Sequence, residues 1–166
     1  DRCKLCYNKR VKKFIGGYDM KIRRAEVTRG DYETFKKMHL NFRYSEVNEV
    51  EERARNAVIK SYEDYYMYAD NEWIYFAVKD NNVIGYVVIT AYDDLTVKLE
   101  EVYIAKEFQR KGNGKKFVKK IIEFLRECGM PIKKVEVFSA TTATDNFWAE
   151  CKFRSVNGSE MFEYVM

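Results

Sequence analysis

A chain of 166 residues with 46% apolar and 34% charged side chains carries enough apolar material for one packed domain, and no run approaches the roughly 18 apolar residues of a membrane-spanning helix. The net charge of +4 is uneven: residues 1–24 hold nine Lys/Arg and two Asp, a net of +7, and the remainder holds 21 basic and 24 acidic residues, a net of −3. The body is mildly acidic, so the overall charge is a poor guide to the partner; the basic arm could touch nucleic acid but reads first as a solvated tail, and nucleic acid is not the expected partner.

The start of the chain is polar and lacks the apolar stretch of a secretion signal. Asp1 in place of Met reads as a trimmed chain or the tail of a longer polypeptide. The cysteines Cys3, Cys6, Cys128 and Cys151 demand no oxidising compartment, so a cytoplasmic protein is expected. Cys3 and Cys6 form a lone C-x-x-C. A structural zinc needs four ligands, usually from two such pairs, and the single His, His39, does not complete a set, so no metal site is expected. The composition break at Gly16 and Gly17 divides the chain into a basic arm, 1–19, and a domain, 20–166.

Ile22 to Val27 reads as a first strand. Thr28 to Asp31 offers N-cap chemistry for a helix with Phe35, Met38, His39 and Phe42 at helical spacing. His39 reads as a flank of that helix face. A second helix is expected from about Ser45 to Tyr68, with Val47, Val50, Ala54, Val58, Tyr62 and Tyr65 on one stripe. Trp73 to Val78 and Val83 to Thr90 form a hairpin about Asp80-Asn81-Asn82, and Leu95 to Ile104 is the next strand. Lys115 to Cys128 is an amphipathic helix through Phe117, Val118, Ile121, Ile122 and Leu125, stopped by Gly129 and Pro131. Ile132 to Phe138 is a buried strand, Thr142 to Cys151 a short helix, and Phe153–Val156 with Met161–Met166 a final hairpin. Cys128 and Cys151 fall in apolar helical segments and read as buried free thiols. The order predicts an α/β, or α+β layered, fold: a mixed sheet with helices on both faces.

The sharpest chemical signal is Gln109-Arg110-Lys111-Gly112-Asn113-Gly114, set between a strand and a helix. Its glycines let backbone N–H groups turn inward. The helix beginning near Lys115 adds the positive end of its dipole, and Arg110, Lys111, Lys115 and Lys116 add charge, so the loop suits a pyrophosphate. It is not a P-loop, because Phe108 and Lys116 stand where that motif needs Gly and Ser/Thr. It is not a Rossmann turn, because Phe117 replaces the third glycine.

Gln-x-x-Gly-x-Gly after a strand resembles the coenzyme-A loop of the GNAT acetyltransferase superfamily. Leu99-Glu-Glu-Val-Tyr-Ile104 is similar to the family's fourth strand. Val135-Glu-Val137, with Phe147-Trp148-Ala-Glu-Cys-Lys-Phe153, is similar to its fifth strand and fourth helix, and Ile22 to Ala25 with Asp31 to its opening. The likeness covers residues 20–166. It implies a mostly antiparallel GNAT-like sheet and an N-acetyltransferase with acetyl-CoA as co-substrate. It also implies a small-molecule or protein amine as acceptor.

By the same resemblance, the backbone of Val102, Tyr103 and Ile104 would hold the pantetheine arm like an added strand. An N–H near Ile104 would polarise the thioester carbonyl. Residues 109–114 with Lys115 would hold the pyrophosphate, and Trp148 would shape the pantetheine channel. Glu100 matches a strand-four base of some relatives, and Glu136 a strand-five base of others. Regular alternation turns Glu101 to the opposite side from Glu100. The chain departs from the family at Trp148, where a Tyr acid is common, at Thr141 and Thr144, at Lys152 in place of a glycine, and at Lys106 in place of a proline. Two further readings therefore stay open: a non-catalytic module that binds or senses acyl-CoA, and a nucleic-acid- or partner-binding protein led by the basic C-x-x-C arm.

Overall fold

The computed structural model describes residues 20–43, 56, 57, 60 and 71–166. The arm with Cys3 and Cys6, and most of the helix expected at 45–68, lie outside the described residues. The elements are β1 (Lys21–Arg24), α1 (Arg29–Arg43), β2 (Glu72–Lys79), β3 (Asn82–Ala91), β4 (Thr96–Ile104), α2 (Asn113–Glu127), β5 (Lys134–Phe138), α3 (Thr142–Glu150), β6 (Arg154–Ser155) and β7 (Met161–Val165). The strands form one sheet in the order β1-β2-β3-β4-β5-β7-β6. All pairs are antiparallel except β4 with β5. None of the described helices is long and apolar enough to cross a membrane.

Helices cover both faces, as the layered reading requires. On one face, α2 buries Phe117, Val118, Ile121, Ile122 and Leu125 with Trp148 of α3 against Val87, Ile89, Val97, Leu99, Val135 and Val137. On the other, α1 buries Phe35 and Met38 against Ile74, Phe76, Tyr86, Val88 and Tyr103. Alternation along the strands sorts the side chains between these layers. Burying a Phe or Leu side chain contributes about 1.5–3 kcal/mol, so these two layers dominate the stability of the domain.

Several boundaries differ from the sequence reading, each for a local reason. β1 stops at Arg24 rather than Val27 because the Glu26 N–H is taken by the Asp31 carboxylate at 2.7 Å and the chain turns there. Thr28 caps α1 as expected, its Oγ1 accepting from the Asp31 N–H at 3.2 Å. Asp31 does not reach back to Thr28. It forms a bidentate pair with Arg23 at 2.7 and 2.6 Å, tying β1 to α1. Burial alone would raise the Asp31 pKa, but the Arg23 hydrogen bonds, the Glu26 N–H and the Arg23 charge outweigh it and hold the group below its usual value. α2 begins two residues before Lys115. Cys128 and Cys151 are half-buried, Cys128 Sγ donating to the Leu125 carbonyl at 3.0 Å, and burial pushes the Cys151 thiol up to about 11.

α3 ends in a left-handed turn. The Phe153 N–H reaches the Trp148 carbonyl at 3.0 Å and the Lys152 N–H the Ala149 carbonyl at 2.9 Å, with Lys152 at φ +71. This backbone suits glycine. A residue with a Cβ there costs about 1 kcal/mol. Lys152→Gly should therefore stabilise the domain by roughly 1 kcal/mol in denaturant unfolding; an unchanged or lowered midpoint would contradict the conformational argument.

Candidate active site

The site begins where β4 changes partners. Its antiparallel pairing with β3 runs to Ile104 opposite Gly85. Its parallel pairing with β5 ends at Leu99 opposite Val137. One residue later the β3 register slips: Val88 faces Glu101 and Ile89 faces Leu99, leaving Glu100 as the extra residue of a β-bulge. Such a bulge bends its strand. The Ala105 N–H points to β3, bonding the Ile84 carbonyl at 2.8 Å. Alternation then turns the backbone of Ile104 and Val102 the other way, toward the gap beside β5. The Ile104 carbonyl on that side accepts from Gln109 Nε2 at 2.6 Å.

The loop Gln109–Gly114 closes the same end of the gap. A 3-10 turn over Lys106–Phe108 delivers the chain to Arg110 and Gly112, both in the left-handed region at φ +57 and +75. Gly112 is the N-cap of α2, and the first bond of that turn runs from the Lys116 N–H to the Gly112 carbonyl at 3.1 Å. The N–H groups of Asn113, Gly114 and Lys115 precede it, without partners in their own helix. Asn113 is buried, its Nδ2 donating to the Phe108 carbonyl at 2.8 Å. A Cβ on Gly114 would stand 3.1 Å from the Phe147 ring, so this glycine lets α2 approach α3. Three N–H groups without helical partners thus open α2 beside Arg110 and Lys111, a geometry that suits an anionic group. The stretch Val102–Ile104, beyond the end of the β5 ladder, leads into this loop.

A model of the "Acetyltransferase (GNAT) family" matches residues 38–153. The chain belongs to the GNAT acetyltransferase family. No curated protein is similar enough in sequence to match. Among solved structures, a variant of the Vibrio cholerae spermidine N-acetyltransferase SpeG is similar over 90% of this chain and 95% of its own, at 15% identity and a TM-score of 0.68. The PaiA N-acetyltransferase of Thermoplasma acidophilum, solved with coenzyme A, matches 89% of this chain and 99% of its own, at 15% identity and a TM-score of 0.61. A Bacillus subtilis acetyltransferase, also with coenzyme A, gives 89%, 99%, 16% and 0.61 for the same measures. At these identities the likeness is one of fold.

Within the GNAT frame one carboxylate, Glu101, stands differently from the sequence reading. Glu100 pairs with Lys98 Nζ at 3.0 Å and accepts from the Tyr92 hydroxyl at 3.3 Å. Its hydrogen bond, opposed by burial and helped by its charge, holds the Lys98 ammonium above its usual pKa. Glu136 pairs with Lys134 at 2.6 Å and faces Lys98 across the β4–β5 ladder. Glu101 does not turn to the opposite side, because the bulge breaks the alternation. It is buried under α1, its Oε2 accepting from the Tyr86 hydroxyl at 2.8 Å with His39 Nδ1 at 2.9 Å. His39 is therefore part of a buried polar cluster, not the flank that helical spacing suggested. The sequence carried a signal: apolar Val97 and Leu99 are followed by Val102 and Ile104, out of phase by one residue.

The other expected residues are split. Lys115 is exposed and paired with Glu150 of α3. Lys111 Nζ donates to the Glu107 carbonyl at 2.8 Å. Trp148, expected along a cofactor channel, lies in the core at 6% exposure, edge-on to Phe147 and Phe153. Trp148→Ala should cost roughly 3–5 kcal/mol of stability, and Trp148→Phe less than half of that. Equal unfolding midpoints for wild type and Trp148→Ala would show that the ring is not structural.

Proposed function

We propose that this chain is an N-acetyltransferase that moves an acetyl group from acetyl-CoA to an amine by direct attack. The observation that carries this reading is the parting of β4 from β5 after Leu99, beside the orphan N–H groups that open α2. The backbone of Val102 and Ile104, with Tyr103 between them, would take the pantetheine arm as an added strand. Asn113, Gly114 and Lys115 N–H groups with Arg110 and Lys111 would take the pyrophosphate. Gln109 would brace the corner through the Ile104 carbonyl, Gly112 would set the turn, and Trp148 would support the channel wall from the core.

In this reaction the amine nitrogen bonds to the thioester carbonyl carbon, the C–S bond breaks, and coenzyme A leaves as a thiolate. A backbone N–H of β4 would stabilise the oxyanion. Glu100 would accept the amine proton, directly or through water, with Glu136 as the second candidate. A thiol of pKa near ~8.5 leaves without a phenolic acid, so Trp148 in place of Tyr does not forbid turnover. The acceptor would be a small-molecule or protein amine in the cytoplasm. The spermidine N-acetyltransferase relative makes small cationic amines the first to test.

Two experiments decide it. Gly112→Val forces a β-branched residue into φ +75 and should weaken coenzyme A binding at least ~10-fold, removing its thermal stabilisation of the protein. Unchanged affinity in the folded variant would contradict the cofactor assignment. Glu100→Gln should lower kcat by ~10²–10⁴-fold at little cost in acetyl-CoA affinity. The same loss in Glu136→Gln instead would move the base to β5. A wild type that binds acetyl-CoA but acetylates no amine in a panel would favour the acyl-CoA-binding module.

A further inference from the structure

The Glu101 carboxylate is 5% exposed in the middle of the sheet, and His39 is 3% exposed. Phe35 stacks on the His39 ring with centroids 5.2 Å apart. Tyr86 Oη and His39 Nδ1 converge on one carboxylate oxygen at 2.8 and 2.9 Å and lie 3.1 Å from each other. An ionised carboxylate only accepts, so in that state His39 carries its proton on Nδ1. Burying such groups is no requirement of the fold, because apolar side chains of similar volume fill such sites at equal or better stability. The position gives the cluster its meaning. Glu101 is the residue after the bulge, directly following Glu100, and the bulge is the bend that frees Val102 and Ile104. Phase also fits: Val97, Leu99, Val102 and Ile104 all pack on the α2 side, which an uninterrupted strand cannot arrange. Unbulged pairing would carry Glu101 to that apolar side.

We propose that Glu101 and His39 are positioning residues. Clamped between Tyr86 of β3 and His39 of α1, the Glu101 carboxylate fixes the bulge peptide, and through it the aim of Glu100 and of the free β4 backbone. The inference rests on the acetyltransferase reading for its catalytic consequence, but the clamp itself does not.

The test uses Glu101→Gln, His39→Gln and the double variant, with two readouts. Steady-state kinetics should show kcat lowered ~10–100-fold in each, the acetyl-CoA KM within about threefold of wild type, and a double variant no worse than the weaker single, because the residues act as one unit. Amide hydrogen exchange should quicken at least ~10-fold in the peptide spanning residues 99–103 while the rest of the sheet is unchanged. Folded variants with wild-type kcat would overturn the proposal. So would exchange that quickens across the whole sheet, with activity falling in step with the folded fraction, since that is a purely structural role. If the wild type acetylates no amine, the acetyltransferase reading fails, and exchange alone then judges the clamp: no local quickening overturns it. If neither single variant folds, His39→Leu with Glu101→Leu removes both polar partners together. An apolar pair that restores the fold with kcat reduced, or with the same local quickening, upholds the clamp; one that restores wild-type behaviour overturns it.

Discussion

The candidate site depends on β4 having, among the described residues, two partner strands up to Leu99 and one beyond it. A sheet normally satisfies both edges of an inner strand, and unpaired backbone groups inside a fold are costly. Here the ladder to β5 stops at the bulge, so an inner strand offers a short stretch of edge within the body of the domain. Such an edge pairs with any extended chain carrying amide groups. The same parting places the end of β4 against the loop that opens α2, so strand edge and helix start form one continuous polar surface.

Binding on such a surface relies on backbone geometry more than on formal charge. The lysines nearest the cradle are engaged elsewhere: Lys115 with Glu150, Lys111 with the Glu107 carbonyl. Exposed pairs of this kind contribute little and are screened by salt. The N–H groups ahead of Lys116 are held by the helix itself, and Arg110 and Gly112 keep the left-handed turn that aims them. On the α1 side of the sheet, Lys98 and Lys134 are likewise matched to Glu100 and Glu136.

Much of this was legible in the sequence because it rests on local chemistry. The Gln109–Gly114 loop announces itself by glycines and cations between a strand and a helix, and α2 by the spacing of Phe117, Ile121 and Leu125. The layered sheet followed from the order of elements, and the Thr28 cap from its residue type. What escaped was non-local. His39 and Glu101 are 62 positions apart, and nothing within the α1 segment shows that its histidine meets a carboxylate of β4. The bulge was readable from the slip between Leu99 and Val102, yet regular alternation assigned Glu101 to the wrong side. Trp148 was read from its place in a family pattern, which does not encode its packing with Phe147 and Phe153 in the core. The end of β1 depended on Asp31 capturing the Glu26 N–H, a contact no propensity encodes.

The central claim is that one surface, made of the β4 edge and the start of α2, holds an acyl-CoA. Titrating coenzyme A into isotope-labelled protein and following backbone amide resonances tests it most directly. The account predicts that the largest saturable shifts fall on the Val102 and Ile104 amides and on Asn113, Gly114 and Lys115. Shifts confined to other parts of the sheet, or none at millimolar coenzyme A, would contradict it.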